Sequence, residues 1–379
     1  MDSDKLQFGV EIEFAAPKDI VMALSDTDQS AVGIVATKLA ELTNLPISGF
    51  CTCIEDQKTC DTCQDLLENR RFGGFASFSE PLPIDNDTDN AVYQYYHVQF
   101  EGCSHRGEVG LEISTPVRST AELEAGLPEI KRLLSALKTM GIEPSVNIGC
   151  GLHVHVGLHG PSEDFSLLLA KKTVTIVALL EEKLILKLIS EARSGRSVAK
   201  PIYRNSLLTI DMGELLPSGD WPSVDYPITE EQGLHVPTDA WRNRPFHDDE
   251  GDHLDEFLKL VWTAPDLECL EHGLYDTNEL RQGFSICTRQ NEDATTKGSF
   301  EFRYPSSELD IEHIALWTEL CTQIVDIARL DQDQYAAKLR QIFRALDSSK
   351  SIRPRVIVRE LLSILGLEHR VNAWKAKME

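Results

Sequence analysis

The chain lacks long apolar stretches and a basic start. No run of apolar residues approaches the roughly 20 that a membrane-spanning helix needs. Met1 is followed by Asp2 and Asp4, whereas a secretory signal begins with basic and then apolar residues. These absences argue against a membrane partner and predict a cytoplasmic location.

Positive charge is also scarce. The chain holds 37 Lys and Arg against 61 Asp and Glu, which gives a formal net charge of −24. Proteins that bind nucleic acids usually present a basic field, so this balance argues against a nucleic-acid partner. It leaves ATP open as a ligand, because metal ions can neutralise the phosphates locally.

Several widespread catalytic motifs are missing. The sequence has no G-x-x-x-x-G-K-[ST] loop, no G-x-S-x-G elbow and no H-E-x-x-H helix. It does contain an H-x-H pair, His153 and His155. A cupin would need a Glu shortly after the second His, and a barrel-type metallohydrolase carries its pair on the first strand rather than in mid-chain. Neither family explains the pair.

Disulfide bonds are not expected. The nine cysteines are an odd number in a chain without a secretion signal, which favours reduced thiols. Four of them form one dense cluster, Cys51, Cys53, Cys60 and Cys63. This spacing is uncommon for zinc, so the cluster is interpreted either as a structural Zn²⁺ site or as unliganded thiols in a loop.

The pattern of apolar residues predicts an α+β protein. With 379 residues and 42% hydrophobic content, the chain can bury a large core. A long helix, apolar nearly all round, is predicted over 161–193, and two helices are predicted over 309–329 and 333–346. Period-two alternation predicts strands over 6–15, 93–100, 111–115, 149–157, 283–288 and 300–304.

Four of these strands share one design, in which apolar residues alternate with charged ones or with histidines. They lie within 9–14, 110–116, 149–157 and 299–305. Successive side chains of a strand point to opposite faces, so one face would meet a core and the other would line a charged cavity. We therefore expect these four polar faces to form one metal and phosphate site.

The first strand contributes Glu11 and Glu13. On one strand face their side chains are about 7 Å apart, a spacing suited to two neighbouring cations. Hard divalent cations such as Mg²⁺ or Mn²⁺ prefer carboxylates, and an imidazole such as His153 is also acceptable. Glu-x-Glu pairs are also common on solvated strands, and the pair alone does not decide between these interpretations.

Glu301 and Arg303 repeat the same spacing with opposite charges. A carboxylate can hold a metal while the neighbouring guanidinium binds phosphate oxygens in a bidentate manner. The alternative is an ion pair that only stabilises the sheet.

The ordered set of motifs resembles a known family. The stretches 9–14, 112–116 and 149–156, a long helix, and then 300–303 are similar to those of the amidoligases, in the glutamine synthetase-like carboxylate-amine ligase superfamily. The resemblance covers most of residues 6–330. It implies a curved, mostly antiparallel sheet that has helices on its outer face and binds ATP and divalent metals on its inner face.

The resemblance also implies metal ligands. Glu11, His153 and Glu301 correspond to ligands of the metal bound to the nucleotide phosphates. Glu13 and Glu112 correspond to ligands of the metal nearer the acceptor carboxylate.

Further residues correspond to nucleotide and phosphate contacts. His155 and Arg303 take this role and are the expected catalytic residues. Arg204 and Arg289 are weaker candidates for substrate or phosphate binding, and ordinary surface arginines would look the same.

Domain boundaries follow from these patterns. Residues 1–347 are predicted to form the amidoligase-like catalytic domain, with loop-like insertions at about 46–90 and 211–256. The second insertion holds thirteen acidic residues against two arginines and is interpreted as an acidic loop or lid, with 247–253 a solvated acidic turn rather than a metal site. Residues 348–379 are a basic helical tail that could dock on the acidic body or on a partner.

The expected function is that of an ATP-dependent ligase. It would join a carboxylate to an amine through an acyl phosphate, using Mg²⁺ or Mn²⁺. Two alternatives remain open: a non-catalytic metal- or ligand-binding module on the same fold, and a metal-dependent amide hydrolase.

Overall fold

The fold is taken from a computed structural model of the chain. The residues that it describes are 6–24, 30–50, 75–77, 94–103, 105, 107–142, 149–158, 165–191, 193, 196, 199–210, 230–237, 249–278, 280–290, 296–348 and 354–378. The statements below refer to these residues. The four clustered cysteines lie outside them, so the zinc hypothesis stays a prediction.

The described strands form one open sheet that is mostly antiparallel. Its order is β3-β2-β4-β5-β1-β7-β9-β8, and the short β6 also pairs with β1. Only the pairing of β2 with β4 is parallel among the described strands. The strands are β1 Leu6–Pro17, β2 Ile47–Phe50, β3 Phe75–Ser77, β4 Tyr96–Phe100, β5 Glu108–Ser114, β6 Arg118–Ser119, β7 Leu152–Leu158, β8 Phe284–Gln290 and β9 Thr296–Phe302.

Helices supply most of the remaining described structure, so the fold is mixed α+β as the apolar pattern predicts. The α-helices are α1 Lys18–Ala23, α2 Ala31–Thr43, α3 Thr120–Glu124, α4 Pro128–Thr139, α5 Leu167–Leu180, α6 Leu186–Leu188, α7 Ile202–Asn205, α8 Leu207–Ile210, α9 Glu230–His235, α10 Asp249–Thr263, α11 Leu267–Gly273, α12 Ile311–Ala328, α13 Gln332–Ser348, α14 Pro354–Ile364 and α15 Val371–Met378.

One face of the sheet is apolar and buried under helices. Helix α12 packs on β1 and β7, and α2 packs on β2 and β4. The strands contribute alternate residues to this core, such as Val10 and Ile12 from β1 and Val154 from β7, all at most 1% exposed. The other face is consequently left for polar side chains.

The long helix is shorter than predicted. It begins at Leu167, after Ser166, whose hydroxyl accepts a hydrogen bond from the amide of Leu169. It continues from α5 through a π-helical turn, Glu181–Ile185, and α6, so it ends at residue 188 rather than near 193. Within the described parts of the chain, no helix is long and apolar enough to cross a membrane.

The two insertions are not purely loops. Strands β2 and β3 fall inside 46–90 and extend the edge of the sheet beyond β4. Helix α9 and the first part of α10 fall inside 211–256, so the prediction of an acidic loop or turn is wrong for residues 230–235 and 249–256. In α10 the buried Leu254, Phe257, Leu258, Val261 and Trp262 recur at helical spacing, and this apolar face outweighs the acidic character that suggested a loop.

The basic tail docks on the body of the protein. Arg370 pairs with Glu319 of α12 at 2.6 Å, and Lys377 donates to Glu308 at 3.2 Å. Trp374 is fully buried, with its ring edge-on to Trp317 at 5.3 Å between centroids. Ion pairs and a buried aromatic side chain therefore both hold the tail against the body of the protein.

Replacing Trp374 by Ala should destabilise the whole chain. Removing a fully buried aromatic side chain costs about 3–5 kcal/mol, from lost burial and the cavity left behind. Chemical denaturation measures the loss, with exposed Asn372→Ala in the same helix as the control. A change below about 1 kcal/mol for Trp374→Ala would show that the tail is not part of the core.

Candidate metal and phosphate site

Strand register aligns the predicted ligands on the polar face. In the pairing of β1 with its two neighbours, Glu11 lies opposite His153 and Glu13 lies opposite Glu112. These four residues therefore form two adjacent rows across three strands. The apolar residues between them point to the core, as the alternation predicts.

The second histidine brings in β9. His155 lies opposite Glu301 in the pairing of β7 with β9. Its Nε2 is 3.2 Å from Glu11 Oε1 and 3.8 Å from Glu301 Oε1. Together Glu11, His155 and Glu301 offer three ligand atoms that all lie within 4.8 Å of one another. This set is the first candidate cation group.

His153 links the two rows. Its Nδ1 is 3.0 Å from Glu11 Oε2, and its Nε2 is 3.3 Å from Glu13 Oε1. Glu11, Glu112 and His153 form the second candidate cation group, again with ligand atoms within 4.8 Å. Glu11 consequently belongs to two groups.

The third group contains a residue that sequence reasoning missed. Glu13, Glu101 and Glu112 offer ligand atoms within 4.8 Å of one another. Glu101 follows directly after β4, where Gln99 lies opposite Glu112. Extending the period-two alternation by two residues past Gln99 would have identified it.

Two glycines make this crowding compatible with the backbone. A Cβ on Gly110 would lie 2.0 Å from the carbonyl oxygen of Glu101, so only glycine lets the two chains pass. A Cβ on Gly151 would lie 2.7 Å from His153 Nε2 and 2.9 Å from Arg193 Nη2. The amide of Gly151 also donates to Glu13 Oε2, which fixes that carboxylate.

Glu112 is oriented by two donors on one oxygen. Gln99 Nε2 and Ser114 Oγ donate to Glu112 Oε1 at 2.7 and 2.8 Å. Among the described contacts, none falls on Oε2, which leaves that oxygen to a cation. Neither Gln99 nor Ser114 was among the predicted site residues.

Two arginines hold Glu301. Arg303 Nη1 donates to Oε1 at 2.5 Å, and Arg281 Nη1 donates to Oε2 at 3.0 Å. Arg303 was predicted as a phosphate contact, whereas Arg281 was missed because it precedes β8 and belongs to no alternating motif. The guanidinium pair puts positive charge beside the first cation group.

The ligand partition that the resemblance implies stays a prediction, and the geometry offers a second grouping of the same residues. His155 rather than His153 completes the group with Glu11 and Glu301, although His153 Nδ1 is also within 3.8 Å of Glu301 Oε1. Arg204 pairs with Glu182 at 2.8 Å and lies over the ring of Tyr203, and its suggested role in substrate or phosphate binding stays a prediction.

Arg289 lies opposite Lys297 in the pairing of β8 with β9. Its side chain is outside the described part of the structure, so its suggested role in phosphate binding stays a prediction.

No model of a known protein family and no curated protein matches the chain.

Electrostatics divides the carboxylates into two kinds. Burial would raise the pKa of Glu301, but His155 and Arg303 outweigh it and lower the pKa to about 2. Burial likewise opposes ionisation of Glu11, yet its two histidine neighbours hold its pKa well below the usual value. Burial and the negative charge of Glu11 raise the pKa of Glu112 to about 8. The row of Glu13 and Glu112 thus has less compensating positive charge than the other row, and burial raises the pKa of Glu13 despite the nearby His153.

Metal binding should consequently depend on pH. Because Glu112 has a pKa of about 8, it carries a proton at pH 7, which a cation must displace. We expect Mn²⁺ affinity to rise by up to about tenfold per unit from pH 6 to 8 and to level off above pH 8. Calorimetry in two buffers of different ionisation enthalpy measures the protons released.

The matched control is Glu112→Gln, which should release about one proton fewer per bound ion. His155 also has a raised pKa, since Glu11 outweighs its burial, and it supplies the remaining dependence. An affinity that is flat from pH 6 to 8 would contradict the assignment of Glu112 as a ligand.

Proposed function

We propose that the protein is an ATP-dependent carboxylate-amine ligase with a glutamine synthetase-like catalytic domain of the amidoligase kind. The observation that carries the proposal is the convergence of three overlapping candidate cation groups on one face of a mostly antiparallel sheet, with guanidinium groups beside them. A cytoplasmic location is part of this proposal.

The donor set fits hard divalent cations. Carboxylates dominate the three groups, with imidazoles as the remaining donors, which suits Mg²⁺ or Mn²⁺. The raised pKa of Glu112 supports the same conclusion, because crowded carboxylates ionise together only when positive charge compensates them. Bound there, such ions would neutralise the phosphates of ATP.

The chain's own residues would then act on the transferred phosphoryl group. A carboxylate resists attack by an amine at neutral pH, so it must first be activated as an acyl phosphate. Arg303 lies beside the first cation group and His155 belongs to it, and both would contact phosphate oxygens and offset the charge of the transfer. The γ-phosphoryl group would pass from ATP to the carboxylate, with ADP as the leaving group. The amine would then attack the acyl carbon, lose a proton and displace phosphate, which gives an amide or isopeptide bond.

Calorimetry with ATP and Mg²⁺ tests the proposal. We expect ATP to bind in the presence of Mg²⁺ and to bind much more weakly without it, since the acidic face repels bare phosphates. Glu124→Gln, a change at an exposed helix position, serves as the control variant. Absence of nucleotide binding would refute the ligase and favour a metal- or ligand-binding module, or an amide hydrolase that needs no nucleotide.

A further inference from the structure

The two oxygens of Glu301 have different surroundings. Oε2 accepts from Arg281 Nη1 at 3.0 Å, from Ser285 Oγ at 2.9 Å and from Cys287 Sγ at 3.5 Å. The side chain is only 1% exposed. Three donors already satisfy this oxygen, so Oε2 is unsuited to a cation.

Oε1 is the oxygen that faces the first cation group. It lies 3.8 Å from His153 Nδ1 and 3.8 Å from His155 Nε2. Its one close donor among the described residues is Arg303 Nη1, which also approaches His153 Nδ1 to 3.5 Å. One nitrogen of Arg303 therefore stands beside the same atoms that would coordinate a metal.

The rest of the Arg303 guanidinium is incompletely bound. Its Nε is buried and has no hydrogen-bond partner among the described residues. A buried donor without an acceptor is costly, and an anionic oxygen would relieve that cost. The side chain is 24% exposed, so it is not locked in the core.

We propose that Arg303 is a substitute cation: it neutralises Glu301 Oε1 until a divalent metal takes that oxygen, and the displaced guanidinium then binds an anionic phosphoryl group. A guanidinium and a divalent cation repel each other, so a metal at Oε1 disfavours the guanidinium at contact distance from the same oxygen. Metal loading would thus prepare the anion contact. This inference rests on the cation site of the proposed function.

Removing Arg303 should change the metal affinity in opposite directions, depending on whether Arg303 supports the metal or competes with it. A residue that helped to hold the metal would, when removed, weaken metal binding. A competing cation would, when removed, strengthen it. The two roles are therefore separated by the sign of one measurement.

The test is calorimetry of the full chain with MnCl₂ alone. Arg303→Gln should bind Mn²⁺ at least about fivefold more tightly than the unchanged protein, in the range of ordinary coupling between two sites. Arg303→Lys keeps the positive charge, so the logarithm of its Mn²⁺ affinity should rise by less than half as much as that of Arg303→Gln. Arg281→Gln removes an equal charge from Oε2 and should likewise show less than half, because Oε2 is not the competing oxygen.

Unfolding curves of each variant confirm that it is folded before titration. Equal or weaker Mn²⁺ binding by folded Arg303→Gln would overturn the inference, and so would an equal gain in Arg281→Gln. If no variant binds Mn²⁺, the inference falls together with the cation site. If the sign is as predicted but ATP never binds, the ligase proposal fails while the role of Arg303 stands.

Discussion

Glu13→Gln and Glu301→Gln should each lower metal-dependent release of ADP by about 10³-fold or more. Both substitutions keep the shape of the side chain and remove its charge. Loss of one preorganised charge contact in a phosphoryl-transfer site typically costs this much. The assay follows ADP in the presence of Mg²⁺, ATP and panels of carboxylate and amine substrates.

The position of each carboxylate explains the size of the effect. Glu301 accepts hydrogen bonds on both oxygens, and an amide would turn one of those oxygens into a donor facing donors. Glu13 accepts from the amide of Gly151 and approaches His153. Glu124→Gln should keep full activity, and full activity in both site variants would refute their assignment.

Glu11→Gln should weaken cation binding more broadly than Glu301→Gln or Glu13→Gln. Glu11 belongs to two of the three candidate groups, whereas Glu301 and Glu13 each belong to one. We expect two Mn²⁺ ions per chain, with both affinities lowered by roughly 10–100-fold in Glu11→Gln. Calorimetry, together with the signal of free Mn²⁺ in electron paramagnetic resonance, counts the ions.

The matched variants separate the two ions. Glu301→Gln should weaken only the ion of the first group, and Glu13→Gln only the second ion, which is held at Glu112 where the second and third groups overlap. If Glu11→Gln lowered the affinity for only one of the two Mn²⁺ ions, the ions would not share this carboxylate. The grouping of the ligands would then be wrong.

Much of the polar face could be predicted because strand alternation is a local property. Branched or aromatic residues at 10, 12, 154 and 302 alternate with Glu11, Glu13, His155 and Glu301. Once the apolar side chains are buried on one face of the sheet, the alternate polar side chains must point to the opposite face. The register that sets Glu13 opposite Glu112 then brings separate motifs together.

Other parts of the site depend on contacts that no local pattern reveals. Arg281 lies outside the alternating strands and reaches Glu301 only because of the path of the chain into β8. The grouping of His155 with Glu11 depends on the relative offset of β1, β7 and β9, which is a tertiary property. Helix α10 was missed because its acidic residues masked the apolar spacing of its buried face.

Anomalous diffraction from crystals soaked with MnCl₂ and a non-hydrolysable ATP analogue would locate the cations and the nucleotide together. We expect one Mn²⁺ beside Glu11, His155 and Glu301 and touching the nucleotide phosphates. A second should lie at Glu112, where the group with Glu11 and His153 overlaps the group with Glu13 and Glu101. Nucleotide bound elsewhere, or Mn²⁺ absent from both positions in crystals that contain the nucleotide, would contradict this arrangement.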